Sequence, residues 1–342
     1  MGYPVIDNQT DFAFEPAFLA DENGVPLFVP IVKATYTYCG RGELTLADEQ
    51  LAVNASGELN AGEGSSYKYE PEIVFTKPAT DVVLVGHAYA DKTNQTEIDV
   101  GLRVGPVAKV VRVVGDRYRV TSKGFETISP PQPFEKIPLT YERAFGGWDR
   151  RHADPEKHSY DPRNPSGVGF GFPSNDTREP IRLPNIEDPS RLWQGWGDRP
   201  PPTGFGFTSP NWHPRSKLAG TYDKQWSETR KPLLPVDFDR RFFNAASAGL
   251  VAPGYLRGDE PVAIVNAVPE GKLHFDLPCG ESPCCYTELK GHKHVVLKTC
   301  LDTVIVNTDE SLLILIWRAH YSLRHGPEDV VRIKIDMEKA SA

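Results

Sequence analysis

The amino-acid sequence predicts a mainly β protein: an antiparallel β-sandwich or open barrel, interrupted by a long ordered insertion rich in Gly, Pro and Trp, with a few short helices. Three observations carry this. Apolar and polar residues alternate with the two-residue period of half-buried strands in both end regions of the chain. Residues 145–235 hold 10 of the 29 Gly and 14 of the 31 Pro, the composition of irregular backbone. Strands do not alternate with helical periods, which disfavours a doubly wound parallel sheet.

In the first strand-rich part, 1–144, the runs IVKATYTY (31–38) and DVVLVGHAYA (81–90) are strand-like. Ile98, Val100, Leu102 and Val104 line one face of a strand, with Asp99, Gly101, Arg103 and Gly105 on the other. Two β-branched runs around Gly115-Asp116 within 107–120 predict a hairpin. The insertion, 145–235, must pack on something, because structureless loops beyond roughly 12–15 residues are rare in compact domains. Five of the six tryptophans lie within it, namely Trp148, Trp193, Trp196, Trp212 and Trp226. Each buries roughly 150–250 Å² when packed, enough to pin such backbone to the sheets or to a partner. Short helices are expected at 221–230, capped by Thr221 with Trp226 and Arg230 on one face, and at 237–246. In the second strand-rich part, 236–342, strands are expected at 262–268, across the alternating Leu273, Phe275 and Leu277, at 294–298, 303–306 and 312–317, and across Val331, Ile333 and Ile335. No internal repeat divides the chain, and 1–342 reads as a single β-rich domain.

Lys+Arg 38 against Asp+Glu 46 leaves a net charge of −8, without the electrostatic footprint of a nucleic-acid or anionic-membrane binder. The longest apolar run, 312–317, falls far short of the about 20 residues of a membrane-spanning helix. The first residues lack a basic and then apolar leader pattern, and Ile6 stands where a myristoylation signal needs Ser or Thr. Five cysteines, an odd number, do not make a disulfide framework. The expectation is a cytoplasmic protein in a reducing compartment.

The most metal-like cluster is Cys279, Cys284, Cys285, His292, His294 and Cys300. Thiolates and imidazoles this close suit tetrahedral zinc, but Cys-x₄-Cys-Cys with His-x-His matches none of the usual knuckle spacings. Free buried or loop cysteines are the default reading, with no metal and no cofactor expected. No G-x-S-x-G, H-E-x-x-H or P-loop motif occurs. GFGFPS (169–174) and GFGF (204–207) read as tight turns with aromatic anchors rather than phosphate loops. Carboxylates recur at Glu142, Asp149, Asp161, Glu187, Asp223, Asp237 and Asp239. Paired carboxylates could serve a glycosidase, yet most adjoin Arg143, Arg150, Arg215, Arg230, Arg240 or Arg241. That pattern favours charge-assisted hydrogen bonds holding irregular backbone in place.

The blocks IPLTYERAFGGWD (137–149), NPSGVGF (164–170), LPNIED (183–188), GFGFTSPNWHPRSKLAGTYDKQWSETRKPLLPVDFDRRFFNAA (204–246) and LDTVIVNTDESLLILIWR (301–318) together resemble one bacterial family. It is the domain of unknown function found beside PAAR-repeat spike tips, VgrG spikes and toxin genes of type VI secretion systems. The resemblance implies a non-enzymatic adaptor or chaperone that loads an effector onto the spike, with PAAR protein, VgrG and toxin as partners and no cofactor. Two blocks are the expected partner-binding or keystone residues. The first is Tyr141, Glu142, Arg143, Phe145, Gly146 and Gly147, in which Glu142 and Arg143 clamp a glycine turn. The second is Trp212, Arg215, Gly220, Thr221, Tyr222, Asp223, Trp226 and Arg230, a short capped helix displaying aromatics and Arg. Internal packing of both blocks is the competing reading. The competing functions are a carbohydrate-active or other hydrolase using the carboxylates of the insertion, and a structural component of the secretion apparatus.

Overall fold

Strands that are apolar on both faces must lie in the middle of a covered sheet, and 26–38, 300–307 and 312–318 are of this kind, with nearly every residue buried. In the computed structural model, which describes residues 3–40, 42–122, 125–171, 180–195, 197–278 and 280–337, they form the centre of the largest sheet. The strands of four residues or more are β1 (Val5–Asn8), β2 (Ala13–Ala20), β3 (Pro26–Tyr38), β4 (Asp81–Val85), β5 (Glu97–Val104), β6 (Val107–Val114), β7 (Tyr118–Ser122), β8 (Phe125–Ile128), β9 (Pro261–Val265), β10 (Lys272–Asp276), β11 (Pro283–Leu289), β12 (Lys293–Lys298), β13 (Cys300–Asn307), β14 (Leu312–Arg318) and β15 (Val330–Met337). The largest sheet runs β2-β3-β14-β13-β4, and a second runs from Ile186–Glu187 through β6-β5-β9-β10. A third is β1-β15-β11-β12, and β8-β7 pairs with Ile181–Arg182. The protein is therefore mainly β, as the alternation predicts, and its sheets do not close into a barrel. Among the described residues, no helix is long and apolar enough to cross a membrane.

Two strand expectations are corrected. The hairpin turns at Gly105-Pro106, where β5 meets β6 in register from Val104↔Val107 to Glu97↔Val114, and not at Gly115-Asp116. Gly115 instead leaves the sheet, packed so tightly against the Gln132 carbonyl that a Cβ would collide with it, and β7 joins a different sheet. The run 81–90 breaks at Gly86, whose φ of 154° and close approach to the Thr308 side chain exclude other residues. Residues His87–Tyr89 then pair with Lys136–Pro138.

The insertion and the chain that follows it close the open edge of the largest sheet. The β4 amides of Val82 and Leu84 donate to Leu250 O at 2.9 Å and Phe205 O at 3.2 Å. Phe205 and Phe207 are buried, so the Gly-Phe alternation at 204–207 does anchor aromatics, whereas residues 172–174 of the other Gly-Phe run lie outside the described residues. Over the same sheet lies a strap, residues 70–77, that carries charge into the interior. Lys33, Ile316, Thr303 and Asp81 stand in one row across four strands. Lys33 Nζ bonds Glu72 at 2.7 Å, Lys77 Nζ bonds Asp81 at 2.8 Å, and Arg318 pairs with Asp302 while donating to Glu72 O at 2.7 Å. Arg215 with Glu70 completes four buried ion pairs, each charge matched by a partner as interiors require.

The helical expectations hold in part. One α-helix, α1 (Lys224–Thr229), forms within 221–230, but its cap is Asp223, which accepts from the Trp226 amide at 2.8 Å. Thr221 instead donates its amide and hydroxyl to Asp237. Of 237–246 only Arg240–Phe243 is helical, as a 3₁₀ turn.

Candidate functional site

Tyr141–Arg143 form a 3₁₀ turn that delivers the chain into Phe145–Gly146, a two-residue strand parallel to Val168–Gly169. Gly146 and Gly147 have φ of 149° and 95°, and a Cβ on either would collide with the Asn164 or Gly167 carbonyl. The clamp on this turn is Asn164, not the expected Glu142 and Arg143. Fully buried, its Nδ2 donates to Tyr141 O at 2.8 Å and Phe145 O at 3.1 Å, and its main-chain carbonyl accepts from Gly147 N at 2.8 Å. Glu142 reaches away to Ser66, accepting from its amide at 2.5 Å and its hydroxyl at 3.0 Å. Arg143 donates to Asp116 and Asn185. Nothing in the sequence pattern singled out Asn164, because a buried Asn serving irregular backbone has no periodic signature.

The second block divides in two. Trp212 and Arg215 precede α1 and are buried, at 3% and 5% exposure, so they are not displayed on a helix as expected. Trp212 meets the Tyr141 ring edge to face, and Arg215 ties Phe242 O at 2.7 Å and Thr208 O at 2.6 Å to the Glu70 carboxylate. Gly220, φ 84°, turns the chain where a Cβ would strike Pro235 and Asp237. Beyond it, Tyr222 is 52% exposed and packs edge to face on Trp226, whose indole nitrogen donates to Leu233 O at 2.8 Å. Arg230 fastens this end to the turn before β3 through Glu22 O and Asn23.

A further aromatic anchor lies on the surface. Trp148 and Tyr160 pair across a short hairpin with ring centroids 4.5 Å apart, and the Arg150 guanidinium lies 5.0 Å over the Trp148 ring. Trp193 packs with Phe145 and Leu183 in a small second core, and Trp196 lies outside the described residues.

The seven carboxylates of the insertion and its flanks are held in place, four of them by arginines, three of which lie two residues further along the chain. Asp149 pairs with Arg151, Asp161 with Arg163, Glu187 with Arg117, and only Asp239 with one of the arginines named above, Arg241. Asp223 and Asp237 serve backbone amides and Glu142 serves Ser66.

Two polar constellations were not legible in the sequence. A cleft of about 440 Å³ lies beside the keystone, lined by Ser66, Lys68, His87, Tyr141, Glu142 and Asp309, with His87 Nδ1 2.8 and 2.9 Å from the two Asp309 oxygens. Burial and the charge of Asp309 together push the phenols of Tyr38 and Tyr89 upward. Behind the cleft wall, Ser247 Oγ accepts from Tyr141 Oη at 2.9 Å and from Lys109 Nζ at 2.7 Å. Burial brings the Lys109 amine down to about 8. A serine between a lysine and a tyrosine is nucleophile chemistry in form, but Ser247 is 1% exposed and the trio ties β6 to the keystone.

The Cys/His cluster is dispersed. Cys284 and Cys285 are adjacent on β11 and point to opposite faces, and burial pushes the Cys285 thiol up to about 12. His292 is exposed beside Glu288, His294 lies opposite Glu288 on β12, and Cys300 begins β13. Cys279 lies outside the described residues. Among the described residues, no three His, Cys, Asp or Glu side chains are grouped to hold a metal.

A family model described as an uncharacterized protein conserved in bacteria (DUF2169) matches residues 23–318. Comparison with curated proteins and with solved structures returned no match.

Proposed function

The chain belongs to this bacterial family, and on that premise we propose that it is a non-enzymatic adaptor that binds a type VI secretion effector, its PAAR spike-tip protein, or both, and helps load them onto the VgrG spike. The observation that supports this most is the exposed Trp148–Tyr160 pair with Arg150 over it. Trp, Tyr and Arg are the residue types that dominate binding hot spots, and this trio is pre-ordered by a hairpin anchored to the keystone. Tyr222 on α1's flank offers a second exposed aromatic. The carboxylates that a hydrolase would need are engaged by arginines and backbone amides, which supports a scaffold role for them. The test is tagged capture from the native host with mass spectrometry of the partners, comparing the wild type with Trp148→Ala/Tyr160→Ala. Recovery of a spike-tip protein or toxin, lost in that variant, supports the reading. Capture of no such protein by the wild type overturns it and returns the hydrolase reading to first place.

A further inference from the structure

The third sheet ends in β12, which pairs only with β11 among the described residues and so presents a free edge. Two cavities flank this strand. One, of about 670 Å³, lies between Lys290 and Lys293 on one side and Tyr321, Arg324 and His325 on the other. The second, of about 250 Å³, lies where Val296, Leu297 and Lys298 face Arg318 and His320. The chain following β14 thus forms the opposite wall of a groove along the edge.

This groove concentrates positive charge in a chain of net −8. Lys290, Lys293 and Arg324 take part in none of the ion pairs among the described residues. Lys293 is steadied by Tyr321, whose hydroxyl accepts from it at 2.8 Å. The Asp329 carboxylate is already engaged, accepting from the Arg324 and His325 amides at 2.8 Å each, with His325 Nδ1 3.0 Å away. That leaves Glu328 as the one uncommitted carboxylate lining the first cavity. Lysines at 293 and 298, the two ends of β12, set like charges against a second copy of the same strand, the usual guard of a free edge. The complementary occupant is a strand of opposite charge. A row of edge amides and carbonyls also matches the main chain of a peptide, which a small anion does not use.

We propose that this groove receives an extended acidic segment of a protein partner, which adds as a strand to β12 and sets its carboxylates against Lys290, Lys293 and Arg324. The proposal deepens the adaptor reading and rests on it only for who the partner is.

The probe is a short labelled peptide alternating glutamate and valine, titrated against the full chain by fluorescence anisotropy. Charge reversal by Lys293→Glu/Arg324→Glu is expected to weaken binding at least about tenfold, as loss of close charge pairs does. A lysine–valine peptide should then prefer the reversed variant, and a peptide with proline at alternate positions should bind poorly to either. Binding that survives charge reversal in a variant with an unchanged melting profile overturns the proposal. So does displacement of the peptide by inorganic phosphate of equal charge, which would mark a general anion site. If the wild type captures spike-tip proteins but ignores the acidic peptide, the groove fails and the adaptor reading stands. Peptide binding without any secretion partner supports the groove and removes the adaptor reading.

Discussion

Tyr141 and Trp212, 71 residues apart in the chain, meet edge to face with ring centroids 5.2 Å apart, both buried. This contact joins the two motif blocks into one keystone, since Tyr141 carries the glycine turn and Trp212 leads into the Arg215 anchor. Trp212→Ala removes a large buried ring and should destabilise the fold by about 3–5 kcal/mol. Trp148→Ala, on the exposed hairpin, should cost only about 1 kcal/mol, the worth of its cross-strand aromatic pair. Urea denaturation of both variants checks the contrast, and equal losses would contradict the division between keystone and surface.

Asn164 holds the glycine turn through two side-chain donations and one acceptance by its main-chain carbonyl. Asn164→Ala leaves the Tyr141 and Phe145 carbonyls buried without that partner, a loss of about 1–3 kcal/mol. Asn164→Asp should be at least as damaging, because a carboxylate cannot donate to those carbonyls. Thermal melts of the two variants give the order.

The fold class was legible because its cause is local. The two-residue alternation of Ile98, Val100, Leu102 and Val104 reflects one covered face, and β5 forms where that pattern lies. The hairpin does not form at Gly115: two β-branched runs around a glycine look alike whether the strands pair or part, and the close approach of Gln132 that separates them is a long-range event. At the site, the sequence pattern marked Gly146 and Gly147 through the positive φ they permit, but not Asn164, Ser247 or Asp309. Those residues act through partners brought together by the fold, at separations that no periodicity records.

Arg318 and Asp302 form a buried ion pair, and burial raises the Asp302 carboxyl even against the pull of Arg318. Removing one partner strands the other charge, so Arg318→Met should cost about 3–5 kcal/mol. Arg318→Met/Asp302→Leu removes both charges and should recover part of that loss. Chemical denaturation of the two single variants and the double closes the cycle, and full additivity would show that the pair is not coupled.

Lys109 offers a pH test with a defined sign. Its amine stands at about 8 in the folded chain against the ordinary 10.5 of a lysine, because burial disfavours the charged form more than Asp188 supports it. Below pH 8 both folded and unfolded chains hold the proton, so the burial cost is carried in full. Between pH 8 and 10.5 the unfolded chain binds a proton that the folded chain has released, so this lysine makes stability rise with pH across that window. The rise is at most about 3 kcal/mol for a displacement of this size. Cys285 and Tyr141, both pushed up to about 12, act in the opposite direction, because their unfolded forms ionise first, from pH 9 and 10 upward. The difference between wild type and Lys109→Met therefore isolates the lysine. Near pH 7 the variant sheds the burial cost and loses the bonds to Ser247 and Ala248, and the gap should shift in favour of wild type as pH climbs toward 10. Urea midpoints measured from pH 7 to 10 read this directly, and a gap independent of pH would show that Lys109 titrates in the fold as it does in the unfolded chain.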